Sequence, residues 1–235
     1  MFNPHPRIEV LPVADGRSCY VIDDALHDPE QLVAYAVAQR AGFVAAPYNA
    51  YPGLELRLLD DVTARLVDFF RVHLRQAFGA RRVQRARSRL SMVTLPPDAL
   101  RPSQWICHRD RIAFAANQCI VASVLYLFRD CALGGTSFYT SKLSARDTAQ
   151  LMRDSVTQDA DTFAATHGVA RGYMTGSNAY FDHALTVEAR WNRLILYDGD
   201  LFHTGDIRAP QRMCADPVAG RLSFNGFLTC SRSAI

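Results

Sequence analysis

Three residues of metal-binding type occur in an order that favours one shared metal site. The segment Cys107-His108-Arg109-Asp110 carries a histidine and a carboxylate two positions apart. On an extended chain such residues point to the same side, so His108 and Asp110 can hold one ion. A second histidine, His203, follows much later in the chain. Two histidines and one carboxylate are typical ligands of mononuclear non-haem iron(II), because they leave coordination positions open. We therefore predict His108, Asp110 and His203 as metal ligands and as the catalytic centre.

The segments that follow this motif decide how it is interpreted, because a histidine and an aspartate at this spacing are common on protein surfaces. An apolar strand pattern contains Tyr126, and Gly134-Gly135 predicts a tight turn into another strand. Arg221 lies among the apolar residues of a strand pattern over 220–229. A buried arginine needs an anion, and its planar fork fits a carboxylate through two contacts. The sequence therefore predicts a carboxylate-binding site that accompanies the metal site.

The order of these residues resembles the prolyl-hydroxylase-like branch of the iron(II)/2-oxoglutarate-dependent dioxygenases, over roughly residues 85–230. The resemblance rests on His108, Asp110, Tyr126, the Gly134-Gly135 turn, His203 and Arg221. It implies a core of the double-stranded β-helix type. It also implies that Arg221 binds the distal carboxylate of 2-oxoglutarate and that Tyr126 adds a hydroxyl contact to that carboxylate. Ser223, two residues after Arg221, is a weaker third candidate for the same role.

The activity implied by this resemblance is hydroxylation of an unactivated C–H bond in an amino acid or in a peptide or protein side chain. Iron(II) is the implied metal, 2-oxoglutarate the cosubstrate and O2 the oxidant, with succinate and carbon dioxide as co-products. In related halogenases a small residue replaces the carboxylate ligand, so Asp110 favours hydroxylation or a related C–H oxidation. Nothing in residues 40–60 or 141–190 specifies the substrate.

The chain departs from the pattern of the family after the second histidine. There the basic residue follows by ~10 positions, whereas Arg221 lies further on. Arg212 has the closer spacing, but Pro210 and Gln211 beside it are not typical of a strand. We prefer Arg221, with an inserted loop over 208–219, because a strand holds the guanidinium rigidly.

Two other functions are compatible with the same residues. A cupin-like protein holds a metal without 2-oxoglutarate chemistry, but such a site needs no carboxylate clamp at Arg221. A non-catalytic barrel that binds a peptide or protein is the second, and the intact ligand set argues against it. A structural zinc site fits poorly, because such sites are usually four-coordinate and rich in cysteine.

The elements that position these residues predict an α+β fold with a double-stranded β-helix (jelly-roll, cupin-like) core. Two short strands over 7–13 and 18–23 precede a helix that begins at Asp28 and a second helix from Asp60 to Phe78. Branched and aromatic residues then favour strands, over 83–95, 119–128, 135–140, 191–198 and 220–229.

We expect a single oxygenase domain over 1–235, because no linker-like segment or shift in composition interrupts the chain. Residues 1–80 are expected to be helical support and residues 81–235 the β-helix core. The apolar spacing over 144–166 predicts helices inside an insertion near 141–190.

Charge and cysteine content bear on partners and location. The net charge of +3 is too small to indicate a polyanionic partner such as nucleic acid. Arg85, Arg87 and Arg89 alternate, and we interpret their shared strand face as solvated, because no aromatic residues interleave them. No apolar run reaches membrane-spanning length and the first residues lack a secretory pattern. No Cys-x-x-Cys pair occurs, so we expect a cytoplasmic protein with free thiols. The expected partner is a small-molecule or peptide substrate. The oligomeric state stays open.

Overall fold

A computed structural model describes residues 1–46, 50–58, 60–110 and 117–232. Within them the fold is mixed α+β, with antiparallel sheets and few helices. The helices are α1 (Glu30–Ala38), α2 (Asp60–His73), α3 (Ala145–Thr157) and α4 (Ala160–His167). The strands are β1 (Ile8–Ala14), β2 (Arg17–Ile22), β3 (Val44–Ala45), β4 (Gly53–Arg57), β5 (Ala80–Val93), β6 (Gln118–Tyr126), β7 (Thr136–Ser141), β8 (Phe181–Val187), β9 (Leu194–Asp198), β10 (Phe202–Gly205) and β11 (Leu222–Arg232).

The larger sheet has eight strands in the order β1-β2-β9-β6-β11-β5-β4-β3. β11 pairs with β5 on one side and with β6 on the other, both antiparallel. Successive residues of a strand point to opposite faces of its sheet. Leu222, Phe224 and Leu228 therefore share a face and pack in one apolar cluster with residues of α2 such as Phe70. The opposite face of β11 points to the interior of the protein, where Ser223 and Phe227 line a cavity.

The smaller sheet has three strands in the order β10-β7-β8. It shares a second apolar cluster with the inner face of the larger sheet, in which Phe138 of β7 packs with Tyr197 of β9. An isolated antiparallel bridge joins His108 to His203 of β10, so the segment around His108 continues this sheet beyond its edge. The two sheets thus bring residues distant in sequence to one interior space.

The helices differ from their predicted bounds at two ends. α2 ends at His73 rather than at Phe78, because the chain turns over 74–79 and Gly79 closes the turn with φ +59°. Phe78 packs in the same apolar cluster as the buried residues of α2. Its position therefore extends the apolar spacing of α2, although its backbone is not helical. α1 begins at Glu30, two residues after Asp28. The helices predicted over 144–166 are confirmed as α3 and α4.

None of the helices formed by residues 1–46, 50–58, 60–110 and 117–232 has both the length and the apolar character needed to span a membrane.

Candidate metal centre and its cavity

Backbone pairing brings the three predicted metal ligands together. The N–H of His108 donates to the carbonyl of His203 at 3.0 Å, and the N–H of His203 donates back to His108 at 2.9 Å. The N–H of Asp110 donates to the carbonyl of Gly199 at 2.8 Å. A Cβ on Gly199 would lie 3.1 Å from the Cβ of Asp110 and 2.5 Å from Ile120, so glycine permits this close approach. As a result, one potential ligand atom from each of the three residues lies within 4.8 Å of the others.

The side chains converge with their ring nitrogens and carboxylate oxygens towards each other. His108 Nε2 lies 3.8 Å from Asp110 Oδ1, and His203 Nε2 lies 3.5 Å from Asp110 Oδ2. His203 Nδ1 lies 2.9 Å from the carbonyl oxygen of Leu201. Because a carbonyl only accepts, Nδ1 of His203 carries the proton and Nε2 presents its lone pair. That tautomer is the one a metal ligand requires.

The protonation preferences of the cluster also suit a cation. Burial lowers the pKa of His203 to about 4. Burial and, to a smaller extent, the neighbouring His203 lower the pKa of His108 to about 4. The side chain of His108 is 33% exposed and lines the cavity. Burial raises the pKa of Asp110, whose Oδ2 has no hydrogen-bond partner among the described residues. A buried oxygen without a donor is costly unless a cation pairs with it, so two neutral imidazoles and this carboxylate fit a divalent metal ion.

The cluster opens into a cavity of about 840 Å³ between the sheets. This volume lies within the range of small-molecule sites. Arg221 also lines the cavity, although it is 4% exposed. Its Nε donates to the carbonyl of Gly134 at 2.9 Å, and its Nη2 donates to the carbonyl of Gly135 at 2.7 Å. Within the described part of the chain no carboxylate lies within ion-pair distance of Arg221, so a buried positive charge faces the cavity without a counterion.

The alternative basic residue lies elsewhere. Arg212 belongs to a short turn over 210–212 and forms an ion pair with Asp130. It does not line the cavity. Of the two arginines that the sequence offered, Arg221 is therefore the one that the fold brings to the cavity of the predicted metal site.

The two hydroxyl candidates have different surroundings. Ser223 lines the cavity, and its Oγ is 3.4 Å from the carbonyl oxygen of Ser91. Tyr126 is fully buried and shares a hydrogen bond of 2.8 Å with the hydroxyl of Thr136. Thr136 lines the cavity, whereas Tyr126 lies behind it. The contact predicted for Tyr126 thus stays a prediction, and Thr136 is the hydroxyl of that pair nearest the cavity.

Tyr197 and two arginines of β5 also belong to the site, and the sequence did not place them there. The ring of Tyr197 on β9 lies 4.7 Å from that of His203. Arg85 and Arg87 are exposed, as a solvated strand face predicts, but Arg89 is half-buried, and Arg87 and Arg89 both line the cavity. Their alternation on β5 was a usable signal, but only the pairing of β5 with β11 brings this face to the edge of the cavity.

The Gly134-Gly135 turn gives a prediction about stability. Gly134 has φ +86°, and a Cβ there would lie 1.9 Å from the carbonyl oxygen of Asp206. We expect Gly134→Ala to reduce the free energy of unfolding by about 2–5 kcal/mol, because strain and overpacking add. Gly168→Ala is a matched control, since φ is +62° but no atom lies within 4 Å of its Cβ position. It should cost only about 1–2 kcal/mol in urea unfolding. Equal losses for the two variants would contradict the close packing at Gly134.

Comparisons with known proteins agree with this architecture. The model of a family of unknown function (DUF6445) matches residues 4–228. No curated protein matches the chain. Among solved structures, a prolyl-4-hydroxylase from Pseudomonas putida has a TM-score of 0.50 and 15% identity, covering 92% of this chain and 93% of that one. The non-haem α-ketoglutarate-dependent epimerase SnoN from nogalamycin biosynthesis has a TM-score of 0.44 and 15% identity, covering 91% and 80%. At this identity the likeness to the hydroxylase shows a shared fold alone.

Proposed function

The chain belongs to DUF6445, a family of unknown function, and from its own site we propose that it is an iron(II)- and 2-oxoglutarate-dependent oxygenase. His108, Asp110 and His203 are the proposed metal ligands and catalytic centre. Arg221 is the proposed ligand of the distal carboxylate of 2-oxoglutarate, with Ser223 and Tyr126 as neighbouring hydroxyls. The proposed reaction is hydroxylation of an unactivated C–H bond in an amino acid or in a peptide or protein side chain.

One observation carries this proposal: a three-ligand cluster and a buried arginine without a counterion share one cavity. Three protein ligands leave positions on a metal ion for a chelating cosubstrate and for oxygen. A metal-binding barrel without 2-oxoglutarate chemistry has no need for a buried guanidinium. The fold shared with a prolyl-4-hydroxylase supports the same reading.

The chemistry divides between the bound groups and the protein. Iron(II) and 2-oxoglutarate, when bound, supply the oxidation: one oxygen atom of O2 enters succinate as carbon dioxide leaves, and the other enters the substrate C–H bond. The protein's residues hold and orient these groups. Leu201 fixes the ring of His203 through its carbonyl, and the carbonyls of the Gly134-Gly135 turn fix the guanidinium of Arg221. Buried Tyr197 and Phe138 close the apolar wall beside His203 and help to exclude water.

The architecture and setting are part of the proposal. We take the two sheets as the halves of a double-stranded β-helix (jelly-roll, cupin-like) within one domain over 1–235. The six cysteines are free thiols, which suits a reducing, cytoplasmic compartment. The proposal includes no nucleic-acid or membrane partner.

Anaerobic titration with iron(II) and 2-oxoglutarate tests this function. A visible metal-to-ligand charge-transfer band is expected when 2-oxoglutarate chelates iron held by the protein. Zinc in place of iron is the control, because its filled d shell gives no such band. Admission of air should then yield succinate. Absence of iron binding, of the band and of succinate would favour a binding protein, whereas iron binding without a band would favour a cupin-like metal site.

A further inference from the structure

The cavity wall has a pronounced excess of positive charge. Among the described residues that line it, Asp110 is the single acidic one, and it is already assigned to the metal. The lining arginines are Arg87, Arg89, Arg101, Arg109, Arg153 and Arg221. A concave, partly apolar site lined by one sign of charge attracts ligands of the opposite sign.

These arginines are not equivalent. Arg109 lies 3.5 Å from Asp200 and stacks on the ring of Phe202, with its Cζ 4.5 Å from the ring centroid. Arg221 is held by the Gly134-Gly135 turn and is assigned to the cosubstrate. Arg87 is different, because no described carboxylate lies within ion-pair distance of its guanidinium.

Arg87 and Arg89 form a pair on one aromatic ring. Their Cζ atoms lie 5.1 Å and 4.8 Å from the centroid of Phe227. Stacking fixes a guanidinium plane and leaves its N–H edges free to bind an anion. Arg89 also lies 3.0 Å from Glu55, which is 5% exposed. Since that carboxylate offsets one of the two charges, the pair keeps a net charge near +1, which suits a carboxylate better than a phosphate dianion.

Strand pairing gives the position of the Arg87–Arg89 pair relative to the predicted metal ligands. Phe227 is opposite Ala122 of β6, and Ala122 is opposite Tyr197 of β9, whose ring touches His203. Two strand spacings separate Phe227 from Tyr197, on the order of 10 Å. Along β11, Phe227 is about 20 Å from Arg221 at an extended rise per residue. The pair and Arg221 therefore serve different ends of the cavity.

We propose that Arg87 and Arg89, stacked on Phe227, bind a carboxylate of the substrate, and that the substrate is a small carboxylic acid rather than a residue inside a protein chain. The apolar wall contributed by Ile106 and Val124 would hold the part of the acid that is oxidised. This inference rests on the proposed function for the identity of the reaction. The anion site itself does not depend on iron.

Matched acid and amide probes test the inference. Phenylacetate and hexanoate, each with its primary amide, are titrated calorimetrically into the protein loaded anaerobically with iron(II) and saturating 2-oxoglutarate, and again into the metal-free protein. Each acid is expected to bind at least about tenfold more tightly than its amide, the factor for a hydrogen bond to a charged group. Arg87→Gln should remove this preference. Arg85→Gln, on the same strand but outside the cavity lining, should retain it.

Each outcome bears on the inference. Acids that bind no better than amides, including no binding of either, overturn it, and so does an Arg87→Gln variant that keeps the preference. Arg87 is exposed, so its replacement leaves the core intact. If the charge-transfer band forms but the acids show no preference, only the substrate inference fails. If no band forms but metal-free protein prefers the acids and Arg87→Gln removes that preference, the anion site stands and the proposed oxygenase function fails; a preference that survives Arg87→Gln belongs to Arg221 and overturns the inference.

Discussion

Replacing Asp110 with alanine is expected to abolish iron-dependent conversion of 2-oxoglutarate to succinate. Asp110 is the one anionic member of the proposed ligand cluster, since both histidines are neutral. Loss of a residue that merely orients a ligand lowers metal affinity by about 10–100-fold. Loss of the ligand itself should lower iron affinity by at least about 100-fold, measured by anaerobic titration with a competing chelator. Asp200→Asn is the control, because Asp200 pairs with Arg17 and Arg109 and does not line the cavity.

The stability of an Asp110→Asn variant separates a functional role from a structural one. Burial raises the pKa of Asp110, and a carboxyl whose pKa is higher in the folded than in the unfolded chain opposes folding at pH 7. The metal-free variant should therefore unfold at the same or a higher temperature than the metal-free parent. Added iron should stabilise the parent alone. A variant that is less stable without metal would show that Asp110 supports the fold itself.

Replacing Arg221 is expected to weaken 2-oxoglutarate binding by about 100–1000-fold, because two charge-assisted hydrogen bonds to one carboxylate are lost. Two substitutions are needed, because Arg221 also satisfies the buried carbonyls of Gly134 and Gly135. Arg221→Gln removes the charge, and Arg221→Lys retains it without the planar fork. The lysine variant should fall between the parent and the glutamine variant when affinity is read from the charge-transfer band.

A cosubstrate analogue shows whether the loss belongs to the distal carboxylate. The probe is 2-oxopentanoate, which keeps the chelating end of 2-oxoglutarate and lacks that carboxylate. The parent should bind it weakly, and Arg221→Gln should bind it about as well as the parent does. Together the two proteins and two ligands form a double-mutant cycle. An equal loss of affinity for both ligands would mean that Arg221 acts through the fold instead of through the cosubstrate.

Local sequence patterns were informative where the chemistry is local. The two-residue spacing of His108 and Asp110 needs only an extended backbone to face one side, and that spacing predicted their convergence. The strands β5, β6, β7, β9 and β11 and the helices α3 and α4 lie where apolar periodicity predicted them. The end of α2 was misjudged because Phe78 packs in the core from a turn, where apolar spacing no longer reports a helix.

Other features depend on contacts between distant segments. The roles of Arg221 and Arg212 could not be separated by spacing alone. Arg221 directly precedes the central strand β11, whereas Arg212 lies in a turn paired with Asp130. In the same way, Tyr126 was favoured by a strand pattern, but only the contact with β7 of the smaller sheet shows that Thr136, and not Tyr126, lines the cavity.

The sequence by itself thus determined the residue types of the proposed ligands, the spacing of His108 and Asp110, and the presence of an arginine of a type suited to a carboxylate. The tertiary structure alone decided that His203 lies across a backbone bridge from His108 and that Arg87 and Arg89 line the cavity. The physical reason is that side-chain type and alternation are properties of a short segment. Which face of a strand is interior depends on sheet pairing with residues far along the chain.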